Sequence, residues 1–121
     1  MKSKNWLESF GHAWDGIYKT AVRERNFKIQ IIMGIAAVLA CIFFQVDTLH
    51  FIGVLLSVFF VLAMELMNTA VEALTDLICG NKPHPLAKLA KDVAAGAVLL
   101  AAFQAVFVAI LVAIHVIGRY V

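Results

Sequence analysis

From Met64 to Asp76 the sequence reads Met-Glu-Leu-Met-Asn-Thr-Ala-Val-Glu-Ala-Leu-Thr-Asp. At about 100° per residue, Glu65, Asn68, Thr69, Glu72 and Asp76 share one side of a helix. Leu66, Met67, Ala70, Val71, Ala73, Leu74 and Leu77 cover the rest. Two further polar sets flank this stripe in sequence. Glu24 sits among Arg23, Arg25 and Asn26, and Lys91-Asp92 follows Lys88. Carboxylates with a lysine can bind Mg²⁺ and phosphate together, since hard oxygens hold the cation and an ammonium meets phosphate oxygens. A carboxylate held at the edge of an apolar medium can also take a proton from an alcohol. Plain interhelical ion pairs or solvated helix ends are the bland reading of the same residues. The familiar nucleotide motifs are absent: there is no Walker A run, no GxGxxG, and no HRD or DFG pattern.

The elements that must position these groups are membrane helices. The chain of 121 residues is 63% hydrophobic and 15% charged. A soluble domain averages roughly 45–50% apolar and about 25% charged, and one this short has too little interior to hide the excess. Uncharged stretches fall at residues 29–46, from about 49 with helical continuation to 78, and at 93–118 within a third segment of 88–118. Each is near the roughly 17–25 residues that cross a bilayer. Pro83 and Pro85 fall between the second and third, where they favour a turn. Nine of the ten Lys and Arg lie before the first span or between the second and third. Positive charge stays cytoplasmic. The N-terminus and the second link are therefore expected in the cytoplasm, and the first link and C-terminus outside, in the cell (inner) membrane. The charged start leaves no place for a signal peptide's apolar stretch.

Residues 5–25 are not apolar enough to span. Trp6, Phe10, Trp14, Ile17 and Ala21 recur every three or four residues, which predicts an amphipathic helix at the membrane surface. A helix packed on its own bundle is the alternative. The expected fold is an all-α integral membrane protein: three transmembrane helices and one N-terminal amphipathic surface helix in a single domain.

Counting about 1.5 Å per residue from Leu49, Glu65 lies some 24 Å along its helix. That is several Å short of the far side of a hydrocarbon layer about 30 Å thick. Glu72 and Asp76 reach the headgroups or water. A polar stripe so placed suits a reaction joining a membrane-dissolved molecule to a soluble one. The small-residue ladder Ala97, Ala101, Ala105, Ala109, Ala113, with Gly34, Gly53 and Gly96, predicts close helix contacts. Cys41 and Cys79 are read as unpaired thiols, and His50 and His115 as solvated residues near the outer interface. The Lys and Arg residues form no dense basic stripe with interleaved aromatics, so no nucleic-acid partner is expected.

The segment Glu65-Leu-Met-Asn68-Thr69-Ala70-Val-Glu72-Ala-Leu-Thr-Asp76 closely resembles the signature helix of the small prokaryotic lipid kinases, the diacylglycerol kinase and undecaprenol kinase family. Ala90-Lys91-Asp92 with Ala94-Ala95-Gly96-Ala97-Val98-Leu99 resembles its second block, and Arg23-Glu24-Arg25-Asn26-Phe27 the segment before its first span. The resemblance implies a phosphotransferase using ATP and Mg²⁺ on a membrane lipid alcohol, assembled as a homotrimer whose sites combine helices of neighbouring subunits. It implies Glu65 as the catalytic base, and Glu24 and Glu72 as metal–nucleotide ligands. It implies Lys91 and Asp92 as phosphate contacts, Asn68 and Asp76 as polar supports, and His12, Lys82 and His84 as further nucleotide contacts. Two positions depart from the diacylglycerol kinase branch: Asn5 where an Arg is usual, and Gln30 where an acid is usual. The run from His84 to Asp92 and the Val-Ala-Ala-Gly-Ala after it look more like the undecaprenol kinase branch, with diacylglycerol kinase as the alternative. A small transporter using Glu65 as a membrane carboxylate, and a structural bundle subunit, are the readings of a different class.

Overall fold

The computed structural model of the chain describes residues 5–121. These form α1 (Trp6–Arg23), α2 (Arg25–Phe43), α3 (Thr48–Cys79) and α4 (Pro85–Gly118). The last three are each long and apolar enough to cross a membrane. The protein is an all-α, multi-pass membrane protein with one shorter amphipathic helix at its start.

Helices α1, α3 and α4 each begin on a side chain that caps them. Asn5 accepts the Glu8 amide at 2.8 Å, and so takes up a backbone donor that α1 would leave unpaired. Asp47 does the same for α3 through the His50 amide. His84 caps α4, its Nδ1 accepting the Leu86 amide at 3.1 Å, and Pro85 occupies the first helical position. Its missing N–H costs nothing there. Pro85 thus belongs to α4 rather than to the turn, and α4 starts three residues before the expected 88. The C-terminus of α3 is closed by Gly80 in a left-handed conformation (φ 61°).

Helix α1 buries no residue. Its Trp6, Phe10 and Trp14 are 92%, 75% and 66% exposed, so its apolar face is turned away from its own bundle and is available to a membrane surface. Ile17 and Ala21, near its end, are half-buried. In the bundle α3 is central: α4 packs along it, α2 packs on its other flank, and the backbones of α2 and α4 stay apart. At the end far from the acidic stripe, Cys41, Val54 and Val112 meet in a small core joined by Ala37, Phe51, Val58 and Val108. Between α2 and α4, over α3, runs a groove of about 780 Å³ that extends from Asn26 and Gln30 to Tyr120.

Small residues behave differently along the bundle. A methyl added at Gly34 would stand 2.7 Å from Val58 Cγ1, so this glycine sets how closely α2 approaches α3. Gly53 has ordinary contact distance to Val108, while Gly96 faces open space and makes no helix contact in the single chain. The alanine ladder also divides. Ala101 is fully buried, Ala97 and Ala105 are half-buried, and Ala109 and Ala113 are exposed.

His50 and His115 are not separate solvated residues. Their rings stack with centroids 4.1 Å apart, and Asp47 reaches both. Partial desolvation pushes the Asp47 carboxyl up, yet hydrogen bonds from the His50 ring and amide, with the electrostatic influence of both histidines, hold it below its ordinary value. Sequence periodicity could not show this, because His50 and His115 lie on different helices.

Candidate active site

The stripe predicted on α3 exists, and its members differ sharply in burial. Glu65 is 5% exposed; Asn68, Thr69 and Glu72 are half-buried, and Asp76 is exposed. The helix turns one face toward α2 and α4, and the stripe climbs that face from the bundle interior to solvent. Thr69 Oγ1 donates to the Glu65 carbonyl at 3.1 Å, and so makes no demand on the carboxylate. Asn68 Nδ2 donates to Glu72 Oε1 at 3.1 Å, one turn on.

Glu24 arrives from the break between α1 and α2. Its backbone is extended (φ −99°, ψ 116°), its N–H closes α1 on the Thr20 carbonyl, and its side chain makes no capping bond. The carboxylate is therefore free for other work. Glu72 and Glu24 both act electrostatically on the Glu65 carboxylate. Glu72 on α3 and Glu24 in the break before α2 thus lie near enough, within one chain, to act on Glu65.

The partner of Glu65 is Gln30, whose Nε2 donates to Oε2 at 3.4 Å. No Lys, Arg or His pairs with Glu65 among the described residues. A buried carboxylate is costly unless paired or well hydrogen-bonded, and a single long amide bond is thin compensation. Two buried acceptor oxygens in the same region, Gln30 Oε1 and Asn68 Oδ1, also have no donor. Acidic and acceptor groups are thus in excess, as a site for a cation or a hydroxyl donor requires. Gln30, in the sequence only a departure from the diacylglycerol kinase branch, is the hydrogen-bond partner of the stripe's buried acid. It was visible as the one polar residue in the apolar run from Ile29 to Phe44, and a polar group inside a span needs a reason.

Lys91 reaches across from the first turns of α4 to Asp76 at 2.7 Å, and it also feels Glu72. Its ammonium therefore lies at the solvent end of the stripe, held by a half-exposed pair that solvent screens. A contact so weak can be exchanged for a phosphate oxygen. Asp92 instead pairs with Lys88 along α4 at 2.6 Å. His12 faces Glu8 on α1 at 3.8 Å, and His84 Nδ1 is spent on its cap. Among the described residues, His12, Lys82 and His84 make no hydrogen bond or ion pair with the stripe. Oxygen donors from Glu24, Glu72 and Asn68 suit Mg²⁺ in type and charge, and the unpaired Asn68 oxygen is the sign in this structure that a cation fits there.

Comparison with known proteins bears on this arrangement. The profile of the family described as prokaryotic diacylglycerol kinase matches residues 11–113. The chain is similar to a diacylglycerol kinase of Synechocystis sp., 42% identical over 104 residues, which is 86% of this chain and 59% of that protein. It is similar to an undecaprenol kinase of Bacillus subtilis, 36% identical over 107 residues, covering 88% of this chain and 86% of the other. A diacylglycerol kinase of Escherichia coli is 31% identical over 100 residues, covering 83% and 81%. The chain thus spans about three-fifths of the Synechocystis protein's length (59%) and most of the other two.

Proposed function

The chain belongs to the prokaryotic diacylglycerol kinase family, and from that premise we propose that it is a lipid kinase that transfers the γ-phosphoryl group of ATP, with Mg²⁺, to the hydroxyl of a membrane lipid alcohol. Enzymes of this kind are phosphotransferases acting on an alcohol. The observation that carries the reading is Glu65: a buried carboxylate without a basic partner among the described residues, beside two more carboxylates and two unpaired acceptor oxygens. A transporter would use Glu65 but leave Glu24, Glu72 and Lys91 without a task. A structural subunit would have no use for a buried, poorly paired acid.

In this proposal Glu65 orients the alcohol and accepts its proton as the oxygen attacks the γ-phosphorus and the bond to the β–γ bridging oxygen breaks, releasing ADP. Glu24 and Glu72, with Asn68, hold Mg²⁺, which when bound supplies charge neutralisation on the phosphate oxygens. Lys91 exchanges Asp76 for a phosphate oxygen and so helps to align the transferring group. Asp76 keeps the ammonium in place between turnovers. Asp92, Lys82, His84 and His12 belong to the nucleotide's wider surroundings. The groove between α2 and α4 opens at Gln30, the residue bonded to Glu65, and is almost wholly apolar. It supports a lipid chain lying in the bilayer with its hydroxyl at the acidic end.

The acceptor we infer is undecaprenol, on the undecaprenol kinase-like stretch that follows His84 and on the Bacillus subtilis relative that this chain covers almost fully. The 42% identical Synechocystis relative, named a diacylglycerol kinase, favours diacylglycerol as the second reading. We further infer a homotrimer in the cytoplasmic membrane with the N-terminus and the acidic stripe inside, supported by the distribution of Lys and Arg. Purified protein given ATP labelled at the γ-phosphate, with undecaprenol and diacylglycerol in parallel, should label undecaprenol faster. Faster labelling of diacylglycerol reverses the acceptor, and labelling of neither overturns the kinase.

A further inference from the structure

At the end of the bundle away from the acidic stripe, three side chains that the kinase chemistry leaves unused come together. Asp47 Oδ1 stands 2.6 Å from His50 Nδ1 and 3.1 Å from His115 Nε2. One donor atom from each residue lies within 4.8 Å of the other two. The carboxylate comes from the N-cap of α3, one imidazole from the first turn of α3, and the other from the last turn of α4. The arrangement is held from two sides. The other Asp47 oxygen accepts the His50 amide, and Arg119 donates to the carbonyls of Gln45 and Phe44, which pins the end of α4 to the link that carries Asp47.

We propose that Asp47, His50 and His115 form a binding site for a divalent transition-metal ion of the zinc class. Two imidazole nitrogens and one carboxylate oxygen are the donor set such ions prefer, whereas Mg²⁺ and Ca²⁺ take oxygen alone. Ligands about 2.0–2.1 Å from zinc stand roughly 3.3 Å apart at tetrahedral angles. The observed separations of 2.6 and 3.1 Å are both shorter than that spacing, by a margin small enough for side-chain rotation to open. The three side chains are 46%, 29% and 41% exposed, so an ion has a path in and a water can complete the shell. The ion would tie the start of α3 to the end of α4, where the capping bonds and the small core now hold them. The site does not depend on the kinase reading, since none of its residues touches the stripe.

The test uses the full chain without a histidine tag, stripped with chelator in detergent micelles and titrated with Zn²⁺ and separately with Co²⁺. One ion should bind per chain. Co²⁺ should give visible absorption of the intensity that mixed nitrogen and oxygen ligation produces, and Zn²⁺ should raise the melting temperature. Asp47→Asn, His50→Gln and His115→Gln should each weaken Zn²⁺ binding by at least about 100-fold, the upper end of what losing a mere outer-shell partner costs. Circular dichroism and gel-filtration volume should stay unchanged. Absence of Zn²⁺ binding in the unaltered protein, or affinity unchanged in His50→Gln and His115→Gln, would show a hydrogen-bonded clasp and overturn the proposal. The Co²⁺ spectrum of the unaltered protein decides the matter if a variant fails to fold.

Discussion

The proposed chemistry turns on Glu65 because its surroundings offer so little to balance a buried carboxylate. Among the described residues its carboxylate takes one hydrogen bond, from an uncharged amide at 3.4 Å, and the ionisable groups that act on it electrostatically, Glu72 and Glu24, are acids. Glu65→Gln keeps the shape and the Gln30 contact but removes the proton acceptor. Turnover should fall by about 10²–10⁴, the usual worth of a positioned base, with the elution volume in detergent unchanged. Turnover within tenfold of the unaltered protein would remove the assignment. Glu72 and Glu24 face a different test. Replacing either by Gln takes one charge from a shared oxygen site, so the Mg²⁺ concentration at half-maximal rate should rise at least about tenfold, about 1.4 kcal/mol of binding. An unchanged Mg²⁺ curve would mean that neither holds the ion.

At the scale of elements, two contacts separate structure from function. Gly34 lets α2 lie against Val58 on α3. A methyl there meets a β-branched side chain at 2.7 Å, and β-branched groups have little rotamer freedom in a helix. Gly34→Ala should therefore destabilise by about 1–3 kcal/mol, even though alanine gains up to about 1 kcal/mol in helix propensity. In a Val58→Ala background the obstacle is gone, and the same change should become neutral or stabilising. Unfolding in detergent measures both, and an equal loss in the two backgrounds would mean that the clash is not the cause. The Lys91–Asp76 bridge makes the opposite case. It joins α3 to α4 but is too exposed to solvent to add much stability. Lys91→Met should leave the unfolding midpoint in detergent essentially unchanged while lowering phosphate transfer at least about 100-fold, as loss of a positioned charge stabiliser does. A large stability loss with activity kept would make the bridge structural.

The whole molecule shows most of its apolar surface. Under a fifth of each spanning window is buried within the single chain, which leaves the remainder open to lipid or to the other subunits of the proposed trimer. Orientation can be read from the cysteines. Cys41 is 6% exposed inside the bundle, and Cys79 is half-buried where α3 ends at the stripe side. A membrane-impermeant thiol reagent should label Cys79 in inside-out vesicles and not in right-side-out ones, and should leave Cys41 untouched in both. Labelling of Cys79 from the outer face would invert the proposed topology.

Periodicity, charge placement and hydrophobic length were enough to determine three apolar helices of spanning length, a shorter amphipathic helix and an acidic stripe on α3, because lipid forces every backbone group into helices and 3.6-residue spacing fixes which side chains share a face. Helix starts were less legible: Pro85 looked like a turn residue until His84 was seen to cap α4. What the tertiary structure alone decided is which helices face one another. That Gln30 meets Glu65, that Lys91 meets Asp76 while Asp92 turns to Lys88, and that His50 stacks on His115 all depend on packing between segments far apart in the chain. Periodicity orders side chains around one helix axis and carries no information about the rotation of one axis against another, which side-chain packing sets.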